Sequence, residues 1–150
     1  MNPAAQAYWQ AWRDLHPDAP EMPYECFHFC DNREEADICA DLVVQDIKRA
    51  TAASVAELEL IGMRQPVVGD VSVVTRWDGT PVAIIRTTRI DIRRLDDVDE
   101  AFAQREGEGD KTLSWWRTAH EAYYRRVLAP AGITVDGDLL IVCEDFERIF

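Results

Sequence analysis

The hydrophobic pattern of this chain changes period near Val68. Before that point apolar residues recur mainly at helical spacing. From Val71 they alternate as in a half-buried strand, and at Leu113 the helical period returns. Val71 to Arg76 reads as a strand. Trp77-Asp78-Gly79-Thr80 carries the Asp-Gly signal of a tight hairpin turn, and Pro81 to Ile92 reads as the return strand, with Val82, Ile84 and Ile90 inward. The strands are few and mostly not joined by crossover helices. The pattern therefore predicts an α+β fold: a small, mostly antiparallel, curled or barrel-like sheet with helices packed over its ends.

Around this hairpin the other elements follow from their end signals. Asn2 with Pro3 predicts a capped helix to about Leu15, carrying Tyr8, Trp9 and Trp12. Pro17, Pro20 and Pro23 make the next stretch a loop, and Tyr24 to Cys30 reads as a strand. Asp31-Asn32-Arg33-Glu34 predicts a capping box opening a helix with Ile38, Leu42 and Val43 inward, ending near Lys48 and Arg49. Val55 to Leu60 reads as a short helix, and Asp96 to Asp99 as the cap of another running to about Gln104. Leu113 to Leu128 is the clearest helix, with a stripe of Leu113, Trp116, His120, Tyr123 and Val127. Leu139, Ile141 and Cys143 alternate in a closing strand within Asp138 to Phe150. At 150 residues the chain reads as one domain, with residues 1–23 as a helix and Pro-rich loop packing on it.

Charge narrows the function. The 28 acidic and 16 basic residues leave a net charge of −12, which disfavours non-specific binding to duplex DNA. A local pocket of cations would still act on one bound nucleotide, because fields are screened over about 8 Å. No apolar run is long enough to span a bilayer, and the first residues show no secretory pattern, so a cytoplasmic protein is expected. Cys26, His28 and Cys30 would share one strand face. Neighbours there are roughly 6.5 to 7 Å apart, too wide for easy convergence on one zinc ion, and reduced cysteines with no metal are expected.

Two stretches concentrate chemistry. Lys48-Arg49-Ala50-Thr51 sets an ammonium and a hydroxyl three residues apart. Glu106-Gly107-Glu108-Gly109-Asp110 places carboxylates on a glycine-loosened loop before Trp115, Trp116, Arg117 and His120. A hydroxyl nucleophile, a proton carrier and an acid are the minimum for acyl or phosphoryl transfer. Each residue also has a plain structural use. Lys48 can answer helix carbonyls, Thr51 can cap the next turn, and Asp110 or Glu108 can cap the Leu113 helix. Trp116 belongs to the core, and His120 shares its stripe. Trp115 can stack on a base or lie under the N-terminal helix. Arg117 can hold a phosphate or tie down Glu108. Glu106, Glu108 and Asp110 together offer oxygen ligands for Mg or Mn.

These two stretches, with Trp116-Arg117-Thr118-Ala119-His120, resemble the ASCH domain family, a branch of the PUA-like superfamily, and within it the YhfF-like bacterial proteins. The likeness covers about Phe27 to the C-terminus. It implies a PUA-like barrel with a cleft for single-stranded RNA or a small nucleoside ligand. The activity it implies is a ribonuclease, with Mg or Mn as its cofactor and otherwise none, or an N4-acylcytidine amidohydrolase. A non-catalytic nucleotide- or partner-binding domain is the third reading. Carried over, Lys48, Thr51 and Glu106, with Glu108 second, are the catalytic positions. Arg49, Asp110, Thr112, Trp115, Arg117 and His120 are the ligand-binding ones. The family commonly has Gly where this chain has Asp46, and often Ser where it has Thr112. Nothing in the sequence sets an oligomeric state.

Overall fold

A computed structural model describes residues 1–150. Helix α1 (Pro3–Asp14) starts where Asn2 accepts the Ala5 N–H at 2.8 Å. Strand β1 (Cys26–Phe27) is followed by helix α2 (Arg33–Val44), strand β2 (Ala50–Ser54) and helix α3 (Val55–Leu60). Strands β3 (Val71–Thr75) and β4 (Pro81–Arg94) form the expected hairpin. Helices α4 (Glu100–Glu106) and α5 (Leu113–Leu128) then lead to strand β5 (Leu140–Arg148). No helix is long and apolar enough to cross a membrane.

The five strands form one sheet in the order β1-β3-β4-β5-β2. The expectation of a barrel is corrected on two counts. The edge strands β1 and β2 do not pair, so the sheet stays open, and β1 runs parallel to β3. The parallel pair arises because the chain between them carries α2, β2 and α3 before it returns. Closure needs edges long enough to pair, and β1 is only two residues. The strand expected over Tyr24 to Cys30 is cut short, and Cys30 takes a left-handed conformation with φ 60°. Its thiol turns to Cys39 on α2 and lies 3.7 Å from that sulfur, so the shared face with Cys26 does not form.

Burial on both faces explains why β3 is buried at every position. Val71, Val73 and Ile84 pack against Trp9 and Trp12 of α1 on one side. Val74, Ala83 and Ile85 pack with Phe29, Cys39 and Val43 on the other. The largest cluster joins α4 and α5 to β5 through Phe102, Trp116, Tyr124, Leu128, Ile141 and Cys143. Strand β4 serves both halves. A register shift between Thr87 and Arg89 bends it as it passes from one to the other. The stripe of α5 is rotated from expectation: Tyr124 and Leu128 are fully buried, while Tyr123 and Val127 are half-buried. Asn32 rather than Asp31 caps α2, accepting the Glu35 N–H at 3.0 Å.

Candidate functional site

Two turns bring Lys48 and Glu106 together. At the end of α2, Asp46 adopts φ 59°, the Ile47 N–H reaches Leu42 O at 2.9 Å, and the Asp46 N–H reaches Val43 O at 3.0 Å. This is the left-handed helix stop usually taken by glycine, which accounts for the residue expected there. The Asp46 carboxylate faces outward onto Arg148, at 2.9 and 3.0 Å, and adds no charge to the cleft. At the end of α4, Gly107 takes φ 70°, and a Cβ there would lie 2.7 Å from Ile47 O. The two helix ends therefore abut backbone to backbone, one residue from Lys48 on one side and one from Glu106 on the other.

Lys48 is 1% exposed and does not serve the helix carbonyls. Its ammonium donates to Ala50 O at 2.8 Å and to Glu106 Oε1 at 3.2 Å, and sits 2.6 Å from Glu108 Oε1. The Phe29 ring covers it at 4.9 Å. The other Glu106 oxygen accepts from the Trp116 indole N–H and faces His120 Nε2 at 3.1 Å. His120 Nδ1 faces Trp116 O at 2.8 Å. Both imidazole nitrogens thus face oxygen acceptors, an arrangement that suits the doubly protonated ring.

Electrostatics agree with this geometry. Burial pushes Lys48 toward losing its proton, but Glu108 and Glu106 outweigh it and raise its pKa. Burial likewise opposes charge on Glu106, yet Lys48, His120 and Trp116 hold it down at about 2. His120 is raised, Glu106 again outweighing burial. Lys48 as found is therefore a cation rather than a base, and Glu106 draws His120 toward its protonated form. Glu106, Glu108 and His120 also offer atoms within 4.8 Å of one another. They do not fit a divalent ion: the Lys48 ammonium already holds both carboxylates, and both imidazole nitrogens face oxygens. Asp110 is not in the group.

This cluster closes one end of a cleft of about 870 Å³ between α2, α3, α5 and the sheet. Thr51, Trp115, Glu106, Glu108 and His120 line it, whereas Lys48 stands behind the glutamates. The Gly109 backbone lies flat on Trp115, where a Cβ would strike the indole at 2.2 Å. Four expected ligand contacts are elsewhere. Arg49 is exposed outside the cleft, its backbone carbonyl accepting the Phe146 N–H. Thr112 rather than Asp110 caps α5, accepting the Trp115 N–H at 3.1 Å, and Asp110 holds Thr112 in turn. Arg117 is spent on Asp96 and the Leu95 carbonyl.

The sequence reading missed a second group of acids in the cleft. Glu25, Glu57 and Glu144 line it, with Glu34 and Glu35 nearby, so seven glutamates face the cleft against one arginine, Arg126, which is paired with Asp31 at 2.9 Å. Thr51 and Glu144 are direct partners across the β2–β5 ladder and share a face. Thr87 donates to Glu144 at 2.5 Å and Tyr123 to Glu57 at 2.6 Å. Burial first, then Glu144 and Glu57, raises Glu25 to about 7, and burial raises Glu57 and Glu144 as well. The alternation of Ile141 and Cys143 toward the α5 core carries the signal for Glu144, because it puts the next residue on the other face. Cys39, whose thiol donates to Glu108 at 3.3 Å, had no such signal.

The same architecture occurs in solved structures. An ASCH domain from Lactobacillus crispatus JV V101 is 32% identical, with a TM-score of 0.89 over 99% of this chain and 95% of that one. A protein from Enterococcus faecalis V583 is 31% identical, with a TM-score of 0.90 over 99% of this chain and 90% of that one. No curated protein matches the chain. The ASCH domain model matches residues 25–149, the span that holds every residue of the cleft but Tyr24. The chain belongs to the ASCH domain family.

Proposed function

We propose that the protein hydrolyses the acyl amide of a small, phosphate-free nucleoside of the N4-acylcytidine class, with Thr51 as nucleophile. One observation carries the reading: Thr51 lines the cleft that Glu106 and Glu108 close, directly across the ladder from Glu144. A hydroxyl needs a base to attack. Lys48 is protonated and Glu106 is held by three donors, so neither is free to take the proton. Glu144 is the carboxylate beside Thr51, and its raised proton affinity suits the role.

The Thr51 oxygen bonds to the amide carbon as its proton passes to Glu144, and the carbonyl electron pair moves onto oxygen. Collapse breaks the carbon–nitrogen bond, and Glu144 returns the proton to the leaving amine. Water then cleaves the threonine ester by the same relay. A substrate carbonyl that takes the place of Glu108 meets the Lys48 ammonium, which then holds the oxyanion. The acidic lining argues for an uncharged ligand over single-stranded RNA. A phosphate backbone needs cations along its path, and Arg49 and Arg117 both lie outside the cleft.

The test is hydrolysis of N4-acetylcytidine followed by release of acetate. Thr51→Ala should cut turnover by at least about 100-fold while leaving the fold intact. The rate should climb as pH rises through the Glu144 pKa, which burial raises, because the base must be ionised. The 5′-monophosphate should be a poorer substrate. No acetate release by the unaltered protein between about pH 5 and pH 9 would refute the reading.

A further inference from the structure

The mechanism above leaves one pair of nucleophiles unused. Cys30 and Cys39 both line the cleft, with their sulfurs 3.7 Å apart. Cys30 is half-buried, in the left-handed turn after β1. Cys39 is 3% exposed, in the second turn of α2, and its thiol donates to Glu108 Oε1 at 3.3 Å. The remaining thiols are placed differently: Cys26 packs toward the α1 cluster and Cys143 is buried against α5. A ligand that enters the cleft can therefore reach Cys30 first, with a second thiol in contact behind it.

We infer that Cys30 and Cys39 form a thiol-modification site for cationic low-molecular-weight disulfides such as cystamine, whose ammonium groups suit the acidic lining, with Cys30 attacking and Cys39 resolving. In the first step the Cys30 sulfur bonds to one sulfur of the incoming disulfide. The disulfide bond breaks, and one thiol leaves with the proton from Cys30. In the second step Cys39 passes its proton to the Glu108 carboxylate and its sulfur attacks Cys30. The second thiol leaves and takes that proton. Two protein thiols are oxidised by two electrons, and one small disulfide becomes two thiols. The roles follow from position. The Cys30 contact and burial hold the Cys39 thiol above its ordinary pKa, which makes it the slower first nucleophile. The sulfurs need to close from 3.7 Å to about 2.0 Å. The bond removes the thiol proton from Glu108, leaving that carboxylate to Lys48, so oxidation changes the hydrogen bonding of the cleft itself.

Incubating the full chain with cystamine, then alkylating and mapping peptides by mass, tests this without any activity assay. It therefore stands or falls apart from the hydrolase reading. The unaltered protein should lose the mass of two hydrogens, yield a Cys30–Cys39 cross-linked peptide, and revert with dithiothreitol. Cys39→Ser should stop with one cysteamine group in disulfide linkage on Cys30. Cys30→Ser should leave Cys39 unmodified, and Cys30→Ala serves in its place if the serine variant does not fold. A stable cysteamine adduct on Cys30 of the unaltered protein would overturn the inference. So would modification of Cys39 in the absence of Cys30, or no reaction at Cys30.

Discussion

Glu106 and Glu25 line the same cleft, yet they bind protons in opposite ways. Glu106 is 1% exposed and Glu25 only half-buried, so depth alone would make Glu106 the weaker acid. The order is reversed: Glu106 is held down at about 2 and Glu25 is pushed up to about 7. Burial opposes ionisation at both. At Glu106, Lys48, His120 and Trp116 overcome it, whereas at Glu25 the next influences are Glu144 and Glu57, which reinforce it. The partners set across the cleft, rather than depth, decide the charge state. One end is a paired, ionic floor, and the other a wall of carboxyls ready to take up protons.

The hardest blow to this contrast is Lys48→Met, which leaves Glu108 without its cation and Glu106 with only His120 and the Trp116 N–H. Loss of one partner from a buried ionic group costs about 3–5 kcal/mol, read as a fall in the denaturation midpoint at neutral pH. An unchanged midpoint would mean that the floor is not held by charge.

Glu25→Gln attacks the other wall and should act in the opposite direction. The folded pKa of Glu25 lies above its unfolded value of 4.5. Its favourable contribution is therefore present below that value and is lost as pH rises through about 7. The variant should gain about 1–3 kcal/mol near pH 8 and nothing near pH 4. Equal effects at both pH values would show that Glu25 does not titrate abnormally.

Trp116→Phe keeps most of the buried ring and removes the indole donor from Glu106. A loss of about 1–2 kcal/mol is expected. Glu106 has a folded pKa below its unfolded value. Its stabilisation is present above 4.5 and disappears as pH falls through about 2. The gap between variant and parent should narrow along that descent, and a constant gap would assign the loss to packing alone. Arg117→Ala should do least. Its partners are partly exposed, so stability should shift by about 0–1 kcal/mol, and hydrolysis should not change. A large loss of turnover would bring Arg117 back to the ligand.

Much of the local structure was legible. The helix Leu113–Leu128, the Asn2-capped α1, α3 and the Asp-Gly hairpin lie where period and end signals put them. Strand β2 was not legible, because Ala50-Thr51-Ala52-Ala53-Ser54 has almost no hydrophobic contrast and becomes a strand by pairing along β5. For the same reason the cap expected at Thr51 falls to Ser54, which accepts the Glu57 N–H at 3.0 Å. The likeness to a known family grouped Lys48, Thr51, Glu106 and Glu108; Thr51 and the two glutamates line one cleft, and Lys48 pairs with the glutamates. It could not say that Lys48 stands behind the glutamates, or that Arg49 and Arg117 point elsewhere.

The division has a physical cause. Periodicity, caps and turns are set by backbone geometry within a few residues, so the sequence alone determined the helices, the hairpin and the α+β class. The open edge of the sheet, the raised proton affinity of His120 and the Thr51–Glu144 pairing depend on groups far apart along the chain. Lys48 and Glu106 are 58 residues apart. They meet because Asp46 and Gly107 turn two helix ends against each other, and that docking, decided only in the tertiary structure, sets which carboxylates in the cleft are charged.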